Sequence, residues 1–274
     1  MDTKIFRNRQ NDREALLLQA SARYYYEKSE KLDSCSYLTM IFLIIVQLLC
    51  KNEVMEIFLI VYFFIEIYIK YKIDYFINKG ADLKLVFDEY VFIEKKIPNS
   101  VIQEIRELSS KNNTTFTSMI NHNGTEKIRG VRDWYSSFVT NKVIDDPIKL
   151  AQEENIYFDK NFRFRYTFHV IFYLILGIIF FSVFKNESFV DLLKSLFITF
   201  VTPITKLIEQ LLCYLKVKDN YKLFDNMINS NQSNMDIQRI IDTNRRIKLF
   251  PLDNVYSIFR KKLHSNFDKY KNLF

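Results

Sequence analysis

Four glycines, four prolines and three cysteines leave this 274-residue chain short of turn formers and of thiols. So few turn formers exclude a β-sandwich, which needs them at the end of every short strand. Cys35, Cys50 and Cys213 lie in or beside apolar runs, with no CxxC spacing and no histidine near them. That pattern argues against a disulfide framework or a zinc site. Histidine is equally scarce, and His122, His169 and His264 are isolated from one another. No GxSxG, HExxH, Walker A or GxGxxG pattern occurs. The adjacent acids Asp145-Asp146 and Glu153-Glu154 make no facing pair, because neighbours on a helix point in different directions. No catalytic residue, metal or cofactor is therefore expected. A cleavable signal peptide is missing as well, since residues 1–36 are polar with charges throughout.

What the chain does have is aromatic and aliphatic bulk, with 26 Phe, 17 Tyr and 49% hydrophobic residues. The mean hydropathy of −0.09 hides a segregation of apolar blocks from charged ones. The net charge of +7 favours anionic partners such as lipid head groups and nucleotides. Two apolar hairpins stand out. The first pairs Tyr37–Cys50 with Val54–Tyr71 across Lys51-Asn52-Glu53, and the second pairs Thr167–Phe184 with Phe189–Leu215 across Lys185-Asn186-Glu187-Ser188. A spanning helix needs about 20 mostly apolar residues. One unbroken helix over 37–71 would put Lys51, Glu53 and Glu56 mid-membrane at roughly 2.5–3.5 kcal/mol each, so a reversal at 51–53 is the cheaper arrangement.

The expected fold is an all-α membrane protein: two transmembrane helical hairpins, four crossings in all, with a helical cytoplasmic domain. The segments are an amphipathic arm (1–36), hairpin one (37–71), a central cytoplasmic domain (72–166), hairpin two (167–215) and a cytoplasmic tail (216–274). Both inter-crossing linkers are tiny, and the other three segments carry nearly all the Lys and Arg. The positive-inside rule then places both termini and the central domain in the cytoplasm of a bacterial inner membrane. Asn11-Asp12 can cap a helix through about Leu32, and Asn99 or Ser100 another after Pro98. Gly80 is expected to interrupt the extension of the second crossing. Asn112–Gly130 reads as a loop. Pro147 suits the first turn of a helix running on into the third crossing. The tail reads as two helices separated near Pro251.

The fourth apolar run is amphipathic. At about 100° per residue, Asp191, Lys194, Ser195, Thr199, Thr202, Thr205, Lys206 and Glu209 share one side, and Leu and Phe residues take the other. Such a stripe cannot face lipid cheaply and must meet water or other helices. It lines a pore in an oligomer, or it packs inside one bundle; both readings stand. A second constellation combines Arg129, Arg132, Asp133, Trp134 and Tyr135 with Asn155, Asp159, Arg163 and Arg165. Arginine forks suit phosphates and aromatic faces suit bases, so the group can hold a small anionic nucleotide. The competing reading is a packed structural corner. Trp134, the sole tryptophan, lies far from any apolar run and is no interfacial anchor.

These residues also carry a family resemblance. "RQNDREALLLQASARYYYEKSEKL" in the arm, "VRDWYS" at 131–136, "AQEENIYFDKNFRFRY" at 151–166 and "IQRIIDTNRRIKLFPLDNVYSIFRK" in the tail occur in order around the two hairpins. Together they resemble the SMODS-associating four-transmembrane effector family of bacterial antiphage systems. The resemblance implies a homo-oligomeric membrane effector that answers a cyclic-oligonucleotide messenger and disrupts the inner membrane, arresting the infected cell. No nucleic-acid polymer is an expected partner. The alternative is a membrane scaffold that recruits a separate sensor or effector and opens no pore.

Overall fold

In a computed structural model, the described residues are 3–50, 53–123, 130–135, 146–162, 188–230, 233–247 and 266. Among them the secondary structure is helical, with no strand beyond a single bridge between Asn123 and Arg132. The helices are α1 (Thr3–Gln10), α2 (Arg13–Cys50), α3 (Glu53–Ile93), α4 (Asn99–Lys111), α5 (Asn113–Asn121), α6 (Pro147–Phe162), α7 (Phe189–Asn229) and α8 (Asn234–Arg246). The third apolar run, the end of the segment that leads into it, and the chain around Pro251 lie outside the described residues.

The dominant unit is the antiparallel pair α2/α3, which breaks between Cys50 and Glu53, where the cost of burying Lys51 and Glu53 predicts a reversal. Both helices run well past their apolar stretches. The arm from Arg13 onward and the first apolar run form one helix, α2, and α3 passes straight through Gly80 to Ile93. Gly80 is not a break. A Cβ there would sit 3.0 Å from the Tyr26 ring and 3.1 Å from the Ala22 carbonyl oxygen, so the glycine lets α2 and α3 approach closely. The stretch 112–130 also differs from expectation, since Asn113–Asn121 is helical and buries Phe116 and Met119.

Two regions separate along the hairpin. At the end remote from the reversal between Cys50 and Glu53, Phe6, Leu18, Phe87, Phe92, Ile105, Phe116 and Tyr135 form a buried core shared by α1–α5 and the 130–135 segment. At the reversal end, Leu38, Phe42, Leu49, Ile57, Phe58, Phe64 and Ile65 stand exposed. α7 carries Phe197, Ile208, Leu212 and Leu215 outward in the same way. Contiguous exposed apolar surface of this kind marks contact with lipid or another protein. Among the described residues one helical stretch, Phe197–Ile228, is long and apolar enough to cross a membrane. The apolar run of α3 carries Glu56, Glu66 and Lys70 within it.

Candidate functional site

The segment 130–135 is held from three sides. Its backbone is bonded to the end of α5: Gly130 N donates to Asn123 O (2.8 Å), Val131 N to Met119 O (2.8 Å) and Arg132 N to His122 O (3.1 Å). Gln10, the last residue of α1, and the following Asn11 then hold Tyr135 and Asp133. The Asn11 amide donates to Asp133 Oδ1 (2.8 Å) and accepts from Asp133 N (3.0 Å). The Gln10 amide accepts from Tyr135 N (2.8 Å) and donates to Tyr135 O (3.4 Å). Asp133 has φ 48°, a left-handed conformation that Asp tolerates better than most residues. The result is a sharp corner that drives Tyr135 inward and leaves Arg132 outside.

Tyr135 is completely buried and donates to Asp88 Oδ1 at 2.6 Å. Asp88, also buried, accepts on Oδ2 from Arg245 Nη1 (2.6 Å) and Gln238 Nε2 (2.8 Å). Asp242 Oδ1 takes further bonds from the same arginine and glutamine, both at 3.2 Å. Asn155 donates to the Tyr135 hydroxyl (3.1 Å), and Gln152 donates to Gln238 Oε1 (3.1 Å) and to Asn234 O (2.8 Å). Three segments therefore meet at one carboxylate, α3, the 130–135 corner and α8, and α6 joins them through Asn155 on the Tyr135 hydroxyl and Gln152 on α8. Gln238, Asp242 and Arg245 are spaced i, i+4, i+7 and so share a helix face. The N-terminus of α8 is capped by Ser233, whose side chain accepts from Asp236 N.

The electrostatics follow from burial. Arg245 is only 11% exposed. Burial works against its charge, but Asp88 foremost, then Tyr135 and Asp242, hold it protonated above its ordinary range. Burial and the Asp88 charge push the Tyr135 hydroxyl well up, so it stays a donor. Burial raises Asp242 to about 6; Arg245 offsets part of the rise and the Asp88 charge adds to it. The sign of the linkage is definite. A carboxyl with a folded pKa above its ordinary value near 4 favours the folded state below that value, and this contribution is lost as pH rises through about 6. Thermal melts of the detergent-solubilised protein should therefore show Asp242 adding stability on going from pH 7 to pH 5, on the order of 1 kcal/mol. Asp242→Asn should flatten that slope, and an unchanged slope would remove Asp242 from the account.

Of the candidate ligand residues, Tyr135 and Asn155 are thus in the node, and Asp133 is tied to Asn11. Trp134 is half-buried, with Lys84 Nζ 3.3 Å from its ring centroid. Arg132 is exposed. Arg129, Arg163, Arg165 and the side chain of Asp159 lie outside the described residues. Asp88, Gln238, Asp242 and Arg245 were missed as site residues. The available signals were an acid inside the apolar run "LVFDEYVF" and the i, i+4, i+7 spacing in the tail. Asp146 accepts from Lys149 N (3.0 Å), the capping role its place before Pro147 suggests.

At Lys206 and Glu209 the polar stripe of α7 meets α2 and α3. Lys206 Nζ lies 2.6 Å from Glu66 Oε1, 2.7 Å from Ser36 Oγ and 4.0 Å from Asp33 Oδ1, and 4.2 Å from the centroid of the Tyr37 ring. The Ser36 hydroxyl donates to Glu66, and the Tyr62 hydroxyl lies 2.6 Å from the Ser36 carbonyl oxygen. Lys70 pairs with Glu209 one turn further on. Thr199 and Thr202 are buried, whereas Thr205 is exposed and donates to Val201 O at 2.8 Å. The side chains of Asp191, Lys194 and Ser195 lie outside the described residues.

Comparison with known proteins gives one family match. The model of the SMODS-associating 4TM effector domain matches residues 4–271, nearly the whole chain. No curated protein and no solved structure matches.

Proposed function

The chain belongs to the SMODS-associating 4TM effector family, a group of membrane effectors tied to cyclic-oligonucleotide antiphage signalling, and from that premise we propose a messenger-gated membrane permeabiliser. In this reading the region around the corner lies in the cytoplasm and binds the messenger, and the hairpins cross the inner membrane. The carrying observation is the joining of the 130–135 corner and α8 to α3 at Asp88, with α6 tied in through Asn155. α3 itself is one continuous helix that bears Lys84 and Asp88 near one end and the apolar run at the other. A ligand that shifts the corner thus acts on a rod ending among the apolar helices. Arg132 and Trp134, with Lys84 beneath the ring, supply the forked donor and aromatic face that a cyclic oligonucleotide needs. Subunits then assemble into an opening lined in part by α7.

Calorimetric titration with a panel of cyclic di- and trinucleotides tests the sensor. Arg132→Ala should weaken binding about 10–100-fold, the worth of one charge-assisted phosphate bond. Its circular dichroism should stay unchanged, because the side chain is exposed. Absence of binding heat across the panel would sink the sensor. Messenger-dependent dye release from liposomes separates a permeabiliser from a scaffold, which leaves vesicles sealed.

A further inference from the structure

A cavity of about 470 Å³ lies between α3 and α7, within the size range of small-molecule sites. α2 contributes Asp33 and Tyr37 to its lining, and the end of α8 contributes Arg246 and Ile247. The pairs Glu66–Lys206 and Lys70–Glu209 advance together, so α3 and α7 run parallel along it. In that register Lys216 lies level with Asn78, whose Oδ1 accepts from Arg246 Nη1 at 3.5 Å. Lys216 and Arg246 therefore line the same end of the cavity.

The other lining lysines are engaged within the chain: Lys206 with Glu66 and Ser36, and Lys70 with Glu209. Arg246 bonds Asp82 and Asn78 and remains 37% exposed. Lys216 is exposed and has no ion pair or hydrogen bond among the described residues. A lone lysine on a surface is commonplace, but beside a second cation at the end of a cavity it makes a place for an anion. Ile67 and Leu212 also line the cavity and are exposed, so it opens onto the apolar belt. Asn78 lies about 10 Å along α3 beyond Tyr71, the last residue of the apolar run. That is the depth of a headgroup layer, and long basic side chains reach into it.

We propose that this cavity binds the headgroup of an anionic phospholipid, with the phosphodiester held by Lys216 and Arg246 and the acyl chains leaving over Ile67 and Leu212. Basic pockets between membrane helices take anionic headgroups by this chemistry. The hydroxyls of a phosphoglycerol headgroup suit Asp74, Asn78 and Gln210, which line the same cavity. A bound lipid bridges α7 to the end of α8, one residue from the arginine that holds Asp88. It thus clamps the apolar belt to the elements that meet at the 130–135 corner. The site rests on the reading above that α3 and α7 cross the bilayer, and it is independent of the messenger and of any pore.

The test incubates the full chain in detergent with equal amounts of phosphatidylglycerol, phosphatidylethanolamine and phosphatidylcholine, and reads retained lipid by native mass spectrometry. Wild type should retain phosphatidylglycerol at least about fivefold over either zwitterionic lipid, the worth of one cation near an anionic headgroup. Lys216→Glu should abolish that preference with circular dichroism unchanged, because the side chain is exposed and unpaired. Lys218→Glu makes the same charge change on the same helix outside the cavity, and should keep the preference. Equal retention of the three lipids by wild type, or equal loss in the two variants, overturns the proposal. Should Lys216→Glu not be recovered, Lys216→Ala takes its place under the same two readings. Glycerol 1-phosphate retained as readily as phosphatidylglycerol would make the ligand a soluble phosphate and overturn the lipid assignment. Flotation with phosphatidylcholine/phosphatidylglycerol vesicles checks the underlying reading separately. Wild type that floats without a lipid preference discards the site alone, whereas wild type left at the bottom of the gradient discards the membrane crossing with it.

Discussion

Asp88→Ala is expected to lower the unfolding free energy by about 3–5 kcal/mol, the range seen when one partner of a buried ion pair is removed. Three donors end on this carboxylate: the Tyr135 hydroxyl, Gln238 Nε2 and Arg245 Nη1. Its loss leaves the Arg245 guanidinium with Asp242 as its remaining acidic contact at 3.2 Å. The ordering of variants is sharper than any single value. Arg245→Met should cost less than Asp88→Ala, because Asp88 keeps two neutral donors while Arg245 would lose its shorter, 2.6 Å ion pair. Asp88→Ala combined with Arg245→Met should cost less than the sum of the singles, since the double variant leaves no buried charge of the pair uncompensated. Chemical denaturation in detergent measures all four proteins. Additivity within about 0.5 kcal/mol would show that the pair does not act as a unit.

Gly130→Ala should be as damaging for a different reason. A Cβ at this position would lie 1.5 Å from the His122 carbonyl oxygen and 2.0 Å from its carbon, both rigid backbone. The segment must move, and with it go the bonds from Gly130 N to Asn123 O and from Arg132 N to His122 O. We expect a loss of at least about 3 kcal/mol, in the tail of single-substitution effects that backbone strain accounts for. The sole tryptophan provides a local readout. Trp134 lies against Lys84, so its emission should shift to the red as the corner opens. Messenger binding should vanish with it. Gly80→Ala is the natural comparison: its Cβ meets a Tyr26 ring at 3.0 Å and Ala22 O at 3.1 Å, which a shift of a few tenths of an ångström relieves. Unchanged emission and melting in Gly130→Ala would mean that the corner is not held as described.

The two regions of the molecule bear differently on the two functional constellations. Tyr135 and Asn155 share the nucleotide-like grouping in the sequence, yet their polar atoms are spent on each other and on Asp88. Among the described members of that grouping, Arg132 is exposed and Trp134 half-buried. For the α7 stripe the sequence leaves two readings open, a pore lining and packing inside one bundle, and Lys206 is bonded to α2 and α3 within one chain. Both results arise because a side chain's chemistry is local but its partners are not.

The sequence by itself determined the all-helical class, the reversal between Cys50 and Glu53, the helix start at Pro147 and the family. These are consequences of short-range physics: periodicity, the cost of burying charge, a missing N–H at a first turn, and motif order. Only the tertiary structure decided that Gly80 is a contact and not a break, because that depends on a tyrosine in another helix. It also decided that Arg245 finds Asp88 across 157 residues of chain. Nothing in either residue's neighbourhood specifies the other; the pairing is selected when α3 and α8 pack, since a charge buried there is tolerable only beside its opposite.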